Sequence, residues 1–400
     1  MLKYFSRNNN TVVINATNIG NKLNGIGNYT LNLIIQFIRL ETSVNFILYL
    51  NKSCKNHVEN INFPSNFEVK WVNGLLSPDR KFFGHLLRLF YSNYLAFKHF
   101  HYLQFNTSPL EVCFFKPNQI VTVHDIIPVL FKTYHKKQYH FYKIILKYAL
   151  RFVKVVVTPS LSTKELISKY YGLPENKVEV ISLGVEDHLE RNPEAKSNTS
   201  PYILYIGRIN EMKNVTQVIR SFVIASRFLY VDLIVVGDDK IKFNQLLEKA
   251  NCDNYAKSRI KFFENVSHVE KINLMLDASL FLYPTLFEGF GFPPLEAMSC
   301  GCPVIVSNNS SLPEVCGNAA YFVDPKNENE IANGIIEVLT NNNLKSQLIE
   351  KGFERVQLFS WEKTASDHLK LIRRILFGSN SMTYAKPSVR ESLILDEAKS

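Results

Sequence analysis

Arg208 and Lys213 lie in the segment GRINEMKN, residues 207–214, between the apolar run Tyr202–Ile206 and a helical pattern. An arginine offers a planar fork of donors and a lysine a point charge, and together they suit a diphosphate. In open α/β sheets such a loop, at a strand end beside a helix N-terminus, is where ligands bind. A second set of candidates follows in FEGFGFPPLEAMSCGCPVI, residues 287–305. Glu288 falls in a loop after another apolar run, where a carboxylate can accept hydrogen bonds from hydroxyls. Glu296 comes eight residues later, inside a short helix that Pro293 or Pro294 can open. Flanked by Leu295, Ala297 and Met298, it is expected in a semi-buried site and therefore needs a partner. Gly289 and Gly291 let the backbone approach a ligand. His124 stands beside Asp125 after the apolar stretch 119–123. A lone histidine there is as readily structural as functional, and Asp125 suits a turn cap.

These residues need strands alternating with helices to hold them. Residues 11–15, 45–50, 67–72, 119–123, 153–157 and 178–181 read as strands, with a helix from about 27 to 40. The polar stretch 186–201 has no periodicity and reads as a linker. The pattern then restarts with strands at 202–206, 231–236, 280–283 and 304–306. Helices are expected at 215–228, 267–277 (opened by a Ser267/Glu270 capping box) and 293–298, and helices dominate from 327 to 377. Alternation of this kind predicts an α/β chain of two parallel-sheet domains.

The chain has 400 residues, 46% hydrophobic and 20% charged, as an ordinary globular protein of about two domains does. No run of about 18 apolar residues offers a spanning helix, and the start has no signal-peptide pattern. The cysteines at 54, 113, 252, 300, 302 and 316 match no zinc spacing and read as reduced thiols. No D-x-D pair offers a divalent-metal site. The GIGNYT segment lacks the third glycine and the position of a dinucleotide fingerprint. No motif or evenly basic stripe supports nucleic-acid binding.

Charge is uneven: 23 basic and 13 acidic residues in 1–195 account for the whole net charge of +10. This asymmetry points to an anionic partner for the N-terminal half. Two segments concentrate it. In 80–98, Phe83, Leu87, Phe90 and Tyr94 recur at helical spacing. In 135–154, Lys143, Lys147 and Arg151 share one helical face, and Ile144, Ile145, Tyr148 and Phe152 another. Each is either a core helix with a solvated basic face or an amphipathic helix for an anionic membrane surface. With the half-chain asymmetry, the reading leans to a peripheral membrane contact.

Together, GR-x4-KN at 207–214, E-x7-E at Glu288 and Glu296, LPEVCGNAAYFVDP at 312–325 and FSWEKTA at 359–365 resemble the large glycosyltransferase family four. Looser likeness in INATNIGNKLNGIGNYT, VTVHDIIPVLF and VVTPSLSTKELISKYYGLPENKVEVISLGV extends it over nearly the whole chain except the tail. The resemblance implies the GT-B fold, two Rossmann-like domains facing across a cleft. It implies an N-terminal acceptor-side domain at 1–190, a linker at 191–200 and a nucleotide-sugar-binding domain at 201–360. A helix at 361–378 would pack back toward the first domain, and 379–400 would be a disordered tail.

By the resemblance, Arg208 and Lys213 bind the donor diphosphate, and Glu296 holds ribose hydroxyls. Glu288 lies near the sugar, and the backbone of Gly289, Phe290, Gly291 and Phe292 lies close to sugar and phosphate. Gly207 opens the first motif. Gly25 and Gly27 form a loop closing over the diphosphate, and His124 faces the donor sugar. Family members often carry Asp at the position of Asn15 and Arg at that of Asn28. The activity implied is a retaining, metal-independent transfer of a hexosyl unit, with no cofactor. The donor is a nucleotide diphosphate sugar, GDP-mannose favoured over a UDP-sugar. The acceptor is a hydroxyl on a glycan or polyprenyl-diphosphate-linked glycan, in polysaccharide assembly at the cytoplasmic membrane face. A nucleotide-sugar epimerase or a non-catalytic nucleotide-sugar-binding subunit are the competing readings.

Overall fold

The computed structural model describes residues 10–41, 43–133, 136–186, 200–250 and 252–378. Residues 191–199 of the expected linker and the expected tail at 379–400 lie outside them. The chain divides into two compact units. One runs to Gly184 and resumes at Trp361; the other is Val185–Ser360.

The first unit holds seven strands: β1 (Thr11–Asn15), β2 (Asn45–Asn51), β3 (Phe67–Val72), β4 (Leu103–Asn106), β5 (Gln119–Thr122), β6 (Val155–Thr158) and β7 (Val178–Val180). They form one sheet in the order β3-β2-β1-β4-β5-β6-β7, every pairing parallel. Strands of a two-sided parallel sheet read as unbroken apolar runs, and VVVT of β6 is one. β4 was not legible that way. Its LQFN is fully buried, yet Gln104 and Asn106 interrupt the apolar pattern.

Register assigns the faces. Val13 lies beside Gln104, Gln104 beside Gln119, and Val121 beside Val156. With a side-chain period of two, these residues share one face. The helix Lys81–Lys98 buries Leu95 there against Val13, Ile47 and Tyr49. The helical run 136–152 packs Tyr142, Leu146 and Leu150 on the same face against Val121 and Val156. The other face is covered by the helix Gly25–Leu40, whose Phe37 stacks on Phe46 at 5.6 Å. The helix Trp361–Phe377 joins it there, its His368 ring 5.4 Å from Phe105.

The second unit holds β8 (Tyr202–Ile206), β9 (Asp232–Gly237), β10 (Ile260–Glu264), β11 (Leu280–Tyr283), β12 (Val304–Ser307) and β13 (Tyr321–Val323). Their order is β10-β9-β8-β11-β12-β13, again all parallel. The Ser267/Glu270 capping box opens the helix His268–Asp277.

Two sequence expectations change. Gly25 and Gly27 are not loop residues: Asn24 caps the helix Gly25–Leu40, its side chain accepting from Gly27 N at 2.8 Å, so both glycines form the first helical turn. The even four-residue repeat of Lys143, Lys147 and Arg151 is also interrupted, because Phe141–Leu146 is π-helical between Lys136–His140 and Lys147–Phe152.

Candidate active site

In the six-stranded sheet the chain moves one way from β8 to β9 and the other way from β11 to β12. The loops after β8 and β11 therefore diverge at the carboxyl edge, the position where open α/β sheets bind ligands. These two loops carry the sequence candidates of this unit.

The first loop is built tightly. A Cβ on Gly207 would come within 2.6 Å of the Tyr205 hydroxyl, so the chain passes that ring only as glycine. Asn210 Oδ1 accepts from Lys213 N at 2.9 Å, and Asp238 Oδ1 accepts from Ile209 N at 2.8 Å. Asn214 adopts a left-handed φ of 59° and starts the helix Val215–Ala225. Its Nδ2 donates to Pro284 O at 2.8 Å and Pro325 O at 2.7 Å, anchoring the turn to the second loop. Leu286 N donates to Met212 O at 2.8 Å and joins the loops directly.

Lys213 and Glu288 meet between them. Lys213 Nζ pairs with Glu288 Oε1 and donates to the Tyr283 hydroxyl at 2.8 Å. Tyr283 Oη in turn donates to Glu288 Oε1 at 2.8 Å. Burial, together with the Glu288 charge, pushes the Tyr283 hydroxyl well above the ordinary tyrosine range, so it remains a donor. Glu288 is 8% exposed, and its backbone is fixed by Ser310 Oγ on its N–H (3.1 Å) and Ser311 Oγ on its carbonyl (3.1 Å). Tyr283, Ser310 and Ser311 escaped the sequence reading. Tyr283 ends an apolar strand and reads as core, and the serines act through backbone bonds that leave no residue pattern.

Glu296 sits in the helix Phe292–Ser299, 8% exposed. The partner its burial demands is Lys271, with Nζ 2.5 Å from Oε1. Burial raises the Glu296 carboxyl pKa, and Lys271 acts against that rise. Lys271 comes from the helix His268–Asp277, 25 residues away, and no local spacing announces it. Gly291 has φ of 115°, and a Cβ there would meet Leu312 at 2.7 Å, so the turn into the helix requires glycine. Phe290 is 5% exposed, with its ring edge-on to Phe359 at 5.7 Å. Its side chain belongs to the core, leaving only its backbone for the loop surface. Arg208 is exposed, and among the described residues its side chain has no ion pair. Among the described residues no three His, Cys, Asp or Glu side chains converge as a metal site would.

His124, Gly25 and Gly27 belong to the other unit. His124 follows β5, half-buried, with Nε2 donating to Thr107 O at 3.1 Å and its ring edge-on to Tyr29 at 4.8 Å. Burial lowers its pKa to about 4, so it is neutral at pH 7. The bond to Thr107 puts the proton on Nε2 and leaves Nδ1 an acceptor. Asp125 Oδ1 accepts from Ile127 N at 2.9 Å and caps the following turn. Thr107 Oγ1 accepts from Asn18 Nδ2 at 2.8 Å and lies 2.7 Å from Thr30 Oγ1 of the helix Gly25–Leu40. The glycine-bearing turn and His124 are thus tied through one threonine.

Residues 186–355 match the family described as Glycosyl transferases group 1, and residues 23–189 match Glycosyltransferase Family 4. O-antigen chain mannosyltransferase B of Escherichia coli is 28% identical over 260 residues, covering 61% of this chain and 67% of that protein. O-antigen chain mannosyltransferase RfbU of Salmonella typhimurium is 32% identical over 213 residues, covering 53% of this chain and 58% of that one, so the match spans under two thirds of that relative's length. Among solved structures, sucrose-phosphate synthase from Thermosynechococcus elongatus aligns with a TM-score of 0.71 at 20% identity, covering 92% of this chain and 100% of that one. At that identity the likeness shows the fold, which is GT-B.

Proposed function

The chain belongs to the group 1 glycosyl transferases of family 4, and on that premise we propose that it moves a mannosyl unit from GDP-mannose to a hydroxyl of a growing polysaccharide. The observation that carries the donor site is the Lys213–Tyr283–Glu288 cluster at the switch point between β8 and β11. In a nucleotide-sugar complex, Lys213 and Arg208 take the diphosphate, and Glu296 takes the ribose hydroxyls. Glu288 accepts from sugar hydroxyls.

The chemistry follows from where charge gathers. The bond from the sugar C1 to the diphosphate oxygen breaks, and negative charge builds on the leaving diphosphate. A fixed ammonium and a helix N-terminus stabilise that charge without reorganising. The acceptor oxygen attacks C1 from the face the diphosphate leaves, giving retention, and its proton passes to the leaving phosphate oxygen. The cations of this site do the work a divalent metal does elsewhere, so the reaction is read as metal-independent. Mannose and polysaccharide are supported by the names of the two mannosyltransferase relatives. The acceptor hydroxyl belongs to a glycan or to a polyprenyl-diphosphate-linked glycan.

The test is nucleotide release from GDP-mannose, UDP-glucose, UDP-galactose, UDP-GlcNAc and dTDP-rhamnose, without added metal, by wild type and Glu296→Ala. Release from GDP-mannose alone, lost in the variant, is the expected result. Release from a UDP-sugar alone replaces the donor but keeps the site. Binding of no nucleotide overturns the site.

A further inference from the structure

Both amphipathic segments of the first unit turn their apolar stripes outward. On the helix Lys81–Lys98, Phe90 is 64% and Phe97 83% exposed, while the face toward the sheet buries Arg88, Ser92 and Leu95. On the run 136–152, Tyr148 is 56% and Phe152 58% exposed. These are the stripes a core helix would bury. Register places both helices on one face of the sheet, so the stripes lie on the same flank of the unit.

The loop before β5 adds to it. The buried Lys116 turns inward, with Nζ donating to His99 O at 2.7 Å and Phe100 O at 3.3 Å. That anchor holds the neighbouring Phe115 out in solvent, 89% exposed. Phe90, Phe97, Phe100, Phe114 and Phe115 border an apolar groove of about 330 Å³. A second groove, lined by His101, Pro117, Phe152, Lys154, Ile375 and Leu376, brings the end of the run 136–152 up to the loop that carries Phe115. Exposed apolar surface of this extent marks an interaction site.

Charge selects the occupant. Residues 80–154 hold twelve Lys and Arg against two acids, Glu111 and Asp125, and this excess equals the net +10 of the whole chain. Arg88, Lys116 and Glu111 are buried; Lys98, Lys143, Arg151 and Lys154 stand outside among the aromatics. Lys98 Nζ lies 5.9 Å from the Tyr94 ring, and the Arg151 guanidinium 5.3 Å from that of Tyr148. A second copy of this chain would bring the same positive surface and be repelled. Aromatic rings interleaved with lysines are the chemistry that enters a lipid headgroup layer.

We propose that this flank, formed by Lys81–Lys98, the run 136–152 and the Phe115 loop, docks the protein on an anionic bilayer surface. The inference goes beyond the donor-site reading and does not depend on it. The test is co-sedimentation of the full chain with phosphatidylcholine vesicles, with and without phosphatidylglycerol, in the absence of donor. Two variants accompany wild type: Phe90→Ser/Phe97→Ser/Phe115→Ser, and Lys143→Glu/Lys147→Glu/Arg151→Glu. Wild type is expected to bind the phosphatidylglycerol vesicles and release them in high salt. Affinity should fall about a hundredfold in the charge-reversed variant and about tenfold in the serine variant. Far-UV circular dichroism and thermal unfolding of both variants should match wild type, which establishes that the first unit still folds. Equal sedimentation with both vesicle types, or with neither, overturns the proposal, as does wild-type vesicle binding by both variants.

Discussion

The two units share an architecture and invert its chemistry. Each is a parallel sheet with a switch point, β1 beside β4 in the first and β8 beside β11 in the second. At the second, opposite charges meet: Lys213 and Glu288, bridged by Tyr283. At the first, the residues are neutral, with Asn15 holding Thr17 at 2.8 Å and Asn18 holding Thr107 at 2.8 Å. The charge of the first unit lies deeper, where Arg88 pairs with Glu111 at 3.4 Å, or on its outer flank. Burial raises the Glu111 pKa to about 7 in spite of Arg88. The same fold thus carries an ion pair at one switch point and neutral amides and hydroxyls at the other, so the architecture alone does not set the chemistry of its loops.

That contrast can be broken experimentally, beginning in the second unit. Lys213→Ala should lower turnover about a hundredfold to a thousandfold, as loss of a fixed charge-stabilising donor does. Steady-state nucleotide release measures it, and unchanged turnover would refute the charged-site half of the comparison.

The next effect belongs to the first unit. His85, His99, His124 and His368 are each held down to about 4 by burial. A histidine kept neutral in the fold takes up its proton on unfolding below about pH 6.5. Its contribution is therefore fully present above pH 6.5 and is lost as pH falls from 6.5 toward 4. For His368, 1% exposed, the loss is on the order of 3 kcal/mol once pH reaches about 4. Hydrogen exchange at pH 7 and pH 5 should show the first unit losing protection before the second. Parallel loss in both units would contradict this.

Glu288→Gln separates charge from shape within the site. Turnover should fall about tenfold to a hundredfold. Nucleoside diphosphate should bind several-fold tighter, because Lys213 loses its competing anion. Calorimetric titration reads the second change, and weaker binding would show that Glu288 holds Lys213 in place for the phosphate rather than competing for it.

The smallest effect tests the neutral switch point. Thr107→Val removes the acceptor for Asn18 Nδ2 and the partner of Thr30 Oγ1. It should cost about 1 kcal/mol of stability in the first unit, because one Asn18 N–H loses its acceptor while Asn18 keeps Glu111 and Thr30 keeps Ile26 O. Nucleotide affinity should not change. A shift in nucleotide affinity would tie this threonine to the second unit's chemistry.

How much of this the sequence disclosed depends on range. Arg208, Lys213, Glu288 and Glu296 were legible because each lies in a strand–loop–helix segment whose local pattern fixes its place. Lys271 and Tyr283 were not, because their partners arrive through strand order. The helix Lys81–Lys98 misleads most. Its apolar spacing is helical, but that spacing does not say which side faces the sheet, and the buried side carries Arg88 and Ser92. β4 was missed for the same reason, its buried amides answering to neighbours such as Gln119 and Cys113 rather than to water.

The helix Trp361–Phe377 belongs to the unit that the first 184 residues begin. Its His368 accepts from the Tyr29 hydroxyl at 2.8 Å, and Arg373 reaches Glu41 at 2.5 Å. On the ribosome, this makes the unit begun first the one completed last. At about 5–20 residues per second, the sheet from β1 to β7 waits roughly 10 to 35 seconds for its closing helix. Val185–Ser360 meanwhile emerges as one continuous stretch and can fold at once. During synthesis the part of the unit that His368 covers, Tyr29 and Phe105, remains open beside the helix Gly25–Leu40, so this is the interval in which the growing chain most needs shielding from aggregation.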